Sequence, residues 1–377
     1  MKHSPFYHQL YQEVKAPLTD LSSLPVTTKS ELMEHFDGWV TDPAVTRTGV
    51  ENFLLDKSRI GCPFLGSYSV WKTSGTTGFP GIFMHDRQAQ AVYRNLVLTR
   101  AYPSWVTARQ LMTIVLRGFR YVFLITTGDH FAGVSNWEQI RQSAGRFKSL
   151  LRTFSVLAPL PETVQKLNAF QPAVLASYPS ALALLAREQV EGRLRIHPVV
   201  LVTASEWLEP AIQDQIEEAF NPARLFDIYG ASEFPYIAFQ CRRRWLHLNA
   251  DWLVLEPVDV HYQPVAPGQP SHTVLLTNLA NCVQPIIRYD LGDRVMLKPD
   301  PCPCGSLLPA IRVEGRKDDV LSFQTPGGKQ VQLLPMAVET VIETTAGVGR
   351  YQLIQTGPSE VKIRLEVAPG KEAPLVW

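Results

Sequence analysis

Two short runs in this 377-residue chain have residue types and spacing that could do chemistry. The first is Thr73-Ser-Gly-Thr-Thr-Gly78. Its glycines permit close approach and positive φ, and its hydroxyls and backbone N–H groups can donate together to one anion. The Gly-Lys-Ser/Thr ending of a Walker loop is absent. A plain Ser/Thr/Gly turn has the same composition, so the loop alone leaves both readings open. The second run is Cys302-Pro-Cys304, two thiolates on one tight turn. Cys241 and His247 offer two further ligands, and three Cys with one His make a closed tetrahedral Zn²⁺ set of the structural kind. Unpaired cysteines are also small buried hydrophobes. Cys62 and Cys282 read that way.

The elements that must position these residues follow from periodicity. Residues 1–70 read as short helices and proline-punctuated loops. From Val70 onward, apolar runs of strand length alternate with amphipathic stretches of helix length. Strands are predicted at Leu111–Val115, Tyr121–Thr126, Ala173–Ala176, Val199–Thr203 and Leu225–Ile228. Helices are predicted at Gln88–Leu98, Trp137–Phe154, Ala181–Gly192 and Ala211–Phe220. This alternation predicts parallel α/β layers. After Glu233 the helices fade into strands at Trp252–Glu256, Thr273–Asn278 and Ile286–Leu297. A last segment after Gly315 holds a helix at Met336–Thr345 and strands at Tyr351–Gln355 and Val361–Val367.

Composition excludes several classes. Lys+Arg 36 against Asp+Glu 35 leaves a net charge of +1, without the basic field that nucleic-acid binding uses. Hydrophobic residues at 45% and charged residues at 19% describe a folded chain with a sizeable core. The start has no apolar h-region. The longest charge-free apolar stretch, Ala173–Ala186, is shorter than the ~20 residues a bilayer span needs. Five cysteines, two of them in Cys-x-Cys, suit a reducing compartment. The expectation is a cytoplasmic protein with no membrane partner.

Four motifs in order extend the loop reading. Trp71-Lys-Thr-Ser-Gly-Thr-Thr-Gly-Phe-Pro80 resembles the phosphate loop of the adenylate-forming superfamily, which includes acyl-CoA synthetases and adenylation domains. Asp227-Ile-Tyr-Gly-Ala-Ser-Glu233 resembles its Tyr-Gly-x-Thr-Glu motif, with Ser232 in the Thr place. Arg288-Tyr-Asp-Leu-Gly-Asp293 resembles its ribose motif, and Gly315-Arg-Lys-Asp-Asp-Val320 its hinge. Within the superfamily the chain looks most like the phenylacetate–CoA ligase and coenzyme F390 synthetase branch. Ser-Pro-Phe-Tyr near the N-terminus, Tyr178-Pro-Ser180 and Cys302-Pro-Cys-Gly305 carry that likeness. Gly81 departs from the lysine that many superfamily members place after the proline.

The resemblance implies an α/β fold: a large N-terminal domain (1–317) of layered parallel sheets, with a β-rich zinc-bearing part over about 234–315. A small, incomplete α+β lid would follow (318–377). It implies ATP and Mg²⁺. Thr73, Ser74, Gly75, Thr76, Thr77 and Gly78 would hold the β/γ-phosphates, Glu233 would ligate Mg²⁺, and Ser232 would bond the α-phosphate. Thr76, Ser232 and Glu233 form the catalytic set. Asp293 and Arg316 would contact the ribose. Ser205 and Glu206 would line the adenine, with Asp227, Tyr229 and Gly230 also at the nucleotide. His130, Phe131 and Tyr178 are candidates for the acid's pocket, with local packing as the alternative for each. Zinc on Cys241, His247, Cys302 and Cys304 also agrees with some members of that branch.

The implied activity is ATP-dependent activation of a carboxylic acid, with an aromatic acid favoured. Transfer to CoA or to a carrier protein's phosphopantetheine thiol would follow. The alternatives are a nucleotidyl transferase of the F390 synthetase kind, or a non-catalytic nucleotide- and zinc-binding homologue. Arg242-Arg-Arg244 reads as a solvated face or a patch for a CoA phosphate or carrier protein. The family's lid carries a lysine that contacts the α-phosphate. Lys329 and Lys362 lie too early to match it, and Lys371 lacks the glycine-rich context. Tight nucleotide binding with slowed adenylation is the corresponding expectation.

Overall fold

The computed structural model describes residues 3–12, 14, 21–73, 80–316, 321–324, 330–333, 348–357 and 360–367. Short helices Pro5–Leu10, Lys29–Glu34, Phe36–Trp39 and Arg47–Leu55 come first. Strands β1 (Ser69–Lys72) and β2 (Ile82–His85) pair as an antiparallel ribbon around the Thr73 loop. Then β3 (Tyr121–Ile125), β4 (Leu151–Ser155), β5 (Val174–Ser177), β6 (Val200–Ala204) and β7 (Arg224–Ala231) alternate with helices. They are followed by β8 (Phe234–Gln240), β9 (Leu246–Leu248), β10 (Leu253–Val258), β11 (Thr273–Asn278), β12 (Tyr289–Asp290), β13 (Asp293–Leu297) and β14 (Ala310–Arg316). The remaining strands are β15 (Leu321–Gln324), β16 (Gln330–Leu333), β17 (Val348–Gly357) and β18 (Glu360–Val367).

Nine strands form the main sheet in the order β13-β14-β9-β8-β7-β6-β5-β3-β4. From β7 to β4 the pairings are parallel; β7–β8, β8–β9 and β9–β14 are antiparallel. The parallel strands are near-continuous apolar runs because both faces are covered. Successive residues on one strand enter different cores. Val174, Ala176, Val200, Val202 and Phe226 join one cluster, whereas Leu175, Leu201 and Leu225 join the other. Val164 and Leu167 of helix Leu160–Phe170, Leu182 and Leu185 of Pro179–Val190, and Ile216 of Pro210–Ala219 complete the second cluster. A separate antiparallel sheet orders as β10-β11-β12. The chain divides into two compact units: residues 1–291 with 295–314, and residues 292–294 with 315–377. In the second, β15 pairs with β16 and β17 with β18, both antiparallel. Among the described residues no helix is long and apolar enough to cross a membrane.

Three secondary-structure expectations and one about the cysteines need correction. Leu111–Val115 is not a strand but part of helix Ala108–Leu116. Thr107 and Gln110 form a reciprocal capping box that starts the helix. Gly118, at φ +75, ends it by donating to the Val115 carbonyl. Trp137–Phe154 is not one helix: Ala132–Ser143 is helical, Gly145 turns at φ +53, and Leu151–Ser155 becomes β4. Ile286–Leu297 splits into β12 and β13 around Gly292 at φ +79. Cys282 is exposed rather than a core residue, and Cys62 is half-buried. The helix expected at Met336–Thr345 lies outside the described residues.

Candidate functional site

The parallel strands deliver the candidate residues to one edge. Thr127–Ala132 follows β3, Tyr178 follows β5, Ser205 and Glu206 follow β6, and Ser232 and Glu233 follow β7. These are the carboxyl ends of four strands that neighbour one another in the order β7-β6-β5-β3. In open α/β sheets the crevice outside such ends is where ligands bind. Ser205 sits there at φ +71, a strained conformation for a residue with a Cβ.

Asp227 lies opposite Thr203 in the β6–β7 register and is buried; Thr203 Oγ1 donates to its carboxylate at 2.7 Å. Burial pushes the Asp227 carboxyl up to about 7, against the lowering effect of the Thr203 hydrogen bond. Gly230 is required by close approach: a Cβ there would lie 2.0 Å from the Pro235 carbonyl oxygen. Tyr229 is 8% exposed and packs in the core, so little of its ring is open to a base. Glu206 is committed to structure. Its carboxylate accepts from the N–H and hydroxyl of Ser180 at 3.1 and 3.0 Å, at the start of helix Pro179–Val190.

Ser232 and Glu233 form the two-residue tip of the β7–β8 hairpin, closed by the Ala231–Phe234 pair. Both tip carbonyls are held. The Ser232 carbonyl accepts from Trp71 Nε1 at 2.8 Å and His85 Nε2 at 3.0 Å. The Glu233 carbonyl accepts from Asn278 Nδ2 at 2.9 Å. Tyr93 and Asn278 complete the set: the Tyr93 hydroxyl donates to His85 Nδ1 at 2.9 Å and accepts from Asn278 at 3.1 Å. Burial pushes His85 down to about 4, so it is a neutral imidazole near pH 7. The sequence marks Trp71 only as the first residue of the loop motif and Asn278 only as a strand end, assigns neither a role in the site, and does not single out His85 or Tyr93. The available signal was His85 itself, a polar residue closing the apolar run Ile-Phe-Met-His of β2, buried in its pattern.

Glu233 is 6% exposed. A carboxylate is the kind of oxygen ligand that Mg²⁺ takes, so Glu233 is of a type that could hold that ion. Of the anion loop, Thr73 is described; its N–H and hydroxyl pair with Gly81 at 2.9 and 2.8 Å, closing the loop's stem. Ser74, Gly75, Thr76, Thr77 and Gly78 lie outside the described residues, as do Asp318, Lys329 and Lys371. In the second unit, Asp293 and Arg316 come together as an ion pair at 3.6 Å. Lys362 is an exposed residue of β18.

The acid-pocket candidates separate. His130 has no exposed surface; Nε2 donates to the Asp56 carbonyl at 3.0 Å and the ring packs on Phe53 at 5.4 Å. Local packing holds the His130 ring through Nε2, while its Nδ1 is buried without a hydrogen-bond partner. Phe131 and Tyr178 are half-buried, and the Tyr178 hydroxyl accepts from the Thr126 N–H at 3.2 Å. Beside them Lys72, the residue before Thr73, forms an ion pair with Asp129 at 2.8 Å.

Cys241, His247, Cys302 and Cys304 bring their ligand atoms within 4.8 Å of one another. Sulfurs on a tetrahedral zinc with Zn–S ~2.3 Å stand about 3.8 Å apart, and Cys241 and Cys302 Sγ are separated by 3.8 Å. His247 Nδ1 donates to the Leu308 carbonyl at 3.0 Å, which leaves Nε2, 3.2 Å from Cys304 Sγ, as the ligand nitrogen. The donor set and spacing fit zinc. Arg244 pairs with Asp214 at 2.7 Å and Glu217 at 2.5 Å, and Arg242 and Arg243 remain exposed.

No family model matches the chain. Protein CapK of Staphylococcus aureus is 26% identical over 170 residues, 44% of this chain and 36% of its own. Fumarate–(S)-2,3-diaminopropanoate ligase of Enterobacter agglomerans is 24% identical over 303 residues, 77% of this chain and 65% of its own. The chain thus spans less than two thirds of the length of either relative. Among solved structures, 2-hydroxyisobutyryl-CoA ligase in complex with 2-HIB-AMP superposes with a TM-score of 0.68 at 21% identity, covering 98% of this chain and 75% of that one. Anthranilate CoA ligase AuaEII with anthranoyl-AMP gives 0.54 at 15% identity, covering 81% and 57%. The fold is that of the adenylate-forming ligases.

Proposed function

We propose that this chain activates a carboxylic acid with ATP as an acyl-adenylate and passes the acyl group to a thiol, of CoA or of a carrier's phosphopantetheine. The observation that carries the reading is the Ser232–Glu233 turn, with Glu233 buried and both carbonyls held at the carboxyl ends of the parallel strands, and with the stem of the Thr73 loop pinned to it through Trp71. Structural neighbours bound to acyl-adenylates support it. The phenylacetate–CoA ligase branch and an aromatic acid rest on the sequence motifs, with Phe131 and Tyr178 as the pocket residues.

In this reading the substrate carboxylate attacks the α-phosphorus in line and pyrophosphate leaves. Thr73–Gly78 hold the β/γ-phosphates and the Ser232 hydroxyl donates to an α-phosphate oxygen. Asp293 accepts from the ribose hydroxyls, with Arg316 beside it, while the backbone at Ser205 and Glu206 borders the base. Bound at Glu233, Mg²⁺ supplies charge neutralisation to the phosphates. Zn²⁺ on Cys241, His247, Cys302 and Cys304 has no open position and serves structure.

The test is pyrophosphate release with a panel of carboxylic acids, followed by an acceptor panel of CoA, a phosphopantetheinylated carrier and amino-acid amines. The amines are included because one relative is named for joining fumarate to (S)-2,3-diaminopropanoate. Glu233→Gln should lower Mg²⁺-dependent pyrophosphate exchange by about a hundredfold or more, roughly 3 kcal/mol, with its melting temperature unchanged. Full exchange in that variant sinks the assignment. Pyrophosphate release with a deazaflavin alone would replace acid activation by nucleotidyl transfer.

A further inference from the structure

Glu233 sits at the two-residue tip of the β7–β8 hairpin, closed by the Ala231–Phe234 pair, and a turn that short has little stiffness of its own. What fixes it here comes from far along the chain. Trp71 and His85 belong to the ribbon that carries the Thr73 loop, 161 and 147 residues before Ser232. Their ring N–H groups occupy both lone pairs of the Ser232 carbonyl. The two rings stack on each other, centroids 4.4 Å apart and 27° from parallel. Trp71 has no exposed surface, and His85 and Tyr93 are each 1% exposed.

The rings are themselves held. The Tyr93 hydroxyl spends its proton on His85 Nδ1, which sets the imidazole with its N–H on Nε2, facing Ser232. Asn278 binds the same hydroxyl and the Glu233 carbonyl, and its own Oδ1 accepts from the N–H groups of Ala280 and Asn281 at 2.9 and 3.2 Å. A trans peptide is planar, with its C=O and N–H antiparallel. Fixing the Ser232 carbonyl therefore fixes the direction of the Glu233 N–H, and fixing the Glu233 carbonyl sets the next peptide plane. The Cα of Glu233, and the direction in which its side chain leaves, are determined between them.

We propose that Trp71 and His85 are positioning residues of the nucleotide site, whose two ring N–H donors on the Ser232 carbonyl lock the Ser232–Glu233 turn to the stem of the Thr73 loop. They touch no reacting atom; they act through Glu233. The consequence is a fixed placement of the Ser232–Glu233 turn relative to the described stem, Trp71–Thr73. This rests on the reading of Glu233 as the Mg²⁺ ligand, and the experiment separates the two.

The measurement is ATP affinity by calorimetry, with Mg²⁺ and with excess EDTA, on the full chain. Wild type should bind Mg·ATP more tightly than metal-free ATP. Glu233→Gln should lose that increment; if it keeps it, the reading of Glu233 falls, whatever the ring variants do. With that control in hand, Trp71→Phe and His85→Phe should cut the Mg²⁺ increment by tenfold or more while leaving metal-free affinity within twofold. His85→Gln, whose amide retains a donor near Nε2, should restore most of it. A merely structural role moves both affinities and the melting temperature together and gives no ordering between Gln and Phe. Folded ring variants with a wild-type increment, or His85→Gln and His85→Phe equal in increment at equal melting temperature, overturn the inference. Trp71→Phe, which keeps an aromatic ring in the stack, serves if His85→Phe does not fold.

Discussion

Asp227 illustrates how much a single buried group can report. Its folded-state carboxyl is raised by burial to about 7, whereas in the unfolded chain it titrates near the ordinary carboxylate value. The folded protein therefore keeps a proton that the unfolded chain has released. Its contribution is fully present below about pH 4 and is lost as the pH rises through 7, at up to about 1.4 kcal/mol per pH unit. Asp227→Asn keeps an oxygen to accept from Thr203 and carries no charge to bury. The stability of wild type relative to this variant should fall steadily between pH 5 and pH 7, read from urea midpoints. Parallel curves across that window would show that the carboxylate is paired and ionised throughout. The motif had placed Asp227 at the nucleotide, but its chemistry was not legible there, because its partner Thr203 is joined to it only by strand register.

At the scale of elements, what could be read from the sequence was whatever local periodicity decides. β11 falls where Thr273–Asn278 predicted it, and the parallel strands at 121, 174, 200 and 224 each begin within a residue of expectation. Leu111–Val115 failed because an apolar run of five fits a buried strand and a helix equally. The capping box at Thr107 and Gln110 decided the matter, and Ile114 is the only buried residue of that helix. The metal centre was legible in its ligands but not in its framework. His247 stands on β9, paired with Ala310 of β14, while Cys241 follows β8 and the two other thiols lie in the loop before β14. Four ligands thus tie three neighbouring strands and one loop. Protein purified without added metal should contain about one zinc per chain by elemental analysis. Cys304→Ser should lose it and become sensitive to proteolysis within 241–310 while still binding ATP. Metal-free wild type with an unchanged melting temperature would remove zinc from the account.

Across the whole molecule, the least legible feature is how distant segments close the larger unit. Arg288 is 6% exposed and its guanidinium donates to the carbonyls of Ser22 at 2.8 Å and Leu24 at 2.5 Å, and to Glu256 at 3.3 Å. Thr27 bridges to Tyr289, Trp39 Nε1 donates to the Pro285 carbonyl at 2.5 Å, and Thr41 donates to Cys282 at 2.9 Å. The ribose motif begins at Arg288, and its guanidinium holds the N-terminal segment. No spacing rule links residues more than 200 positions apart, which is why the sequence motifs showed Arg288 as part of a motif and nothing more. Arg288→Met removes a charge-assisted hub and strands the buried Leu24 carbonyl and the part-buried Ser22 carbonyl. It should destabilise the chain by about 3 kcal/mol in urea unfolding, and a midpoint unchanged from wild type would show that the hub is redundant.

That closure has a consequence for a chain made from one end. Tyr7 and Trp39 have no exposed surface once residues 282–290 arrive, and the Tyr7 hydroxyl accepts from the Ile287 N–H at 3.2 Å. At about 5–20 residues per second, the ribosome needs roughly 12–50 s to reach those partners after Trp39 has been added. For that interval Tyr7 and Trp39 have early neighbours such as Phe6, Phe36 and Phe83 but lack the cover that residues 282–290 supply. The segment that holds Tyr7 and Trp39 therefore waits for partners 280 and 246 residues further along the chain, and a chaperone that binds exposed aromatics during translation would find a long opportunity there.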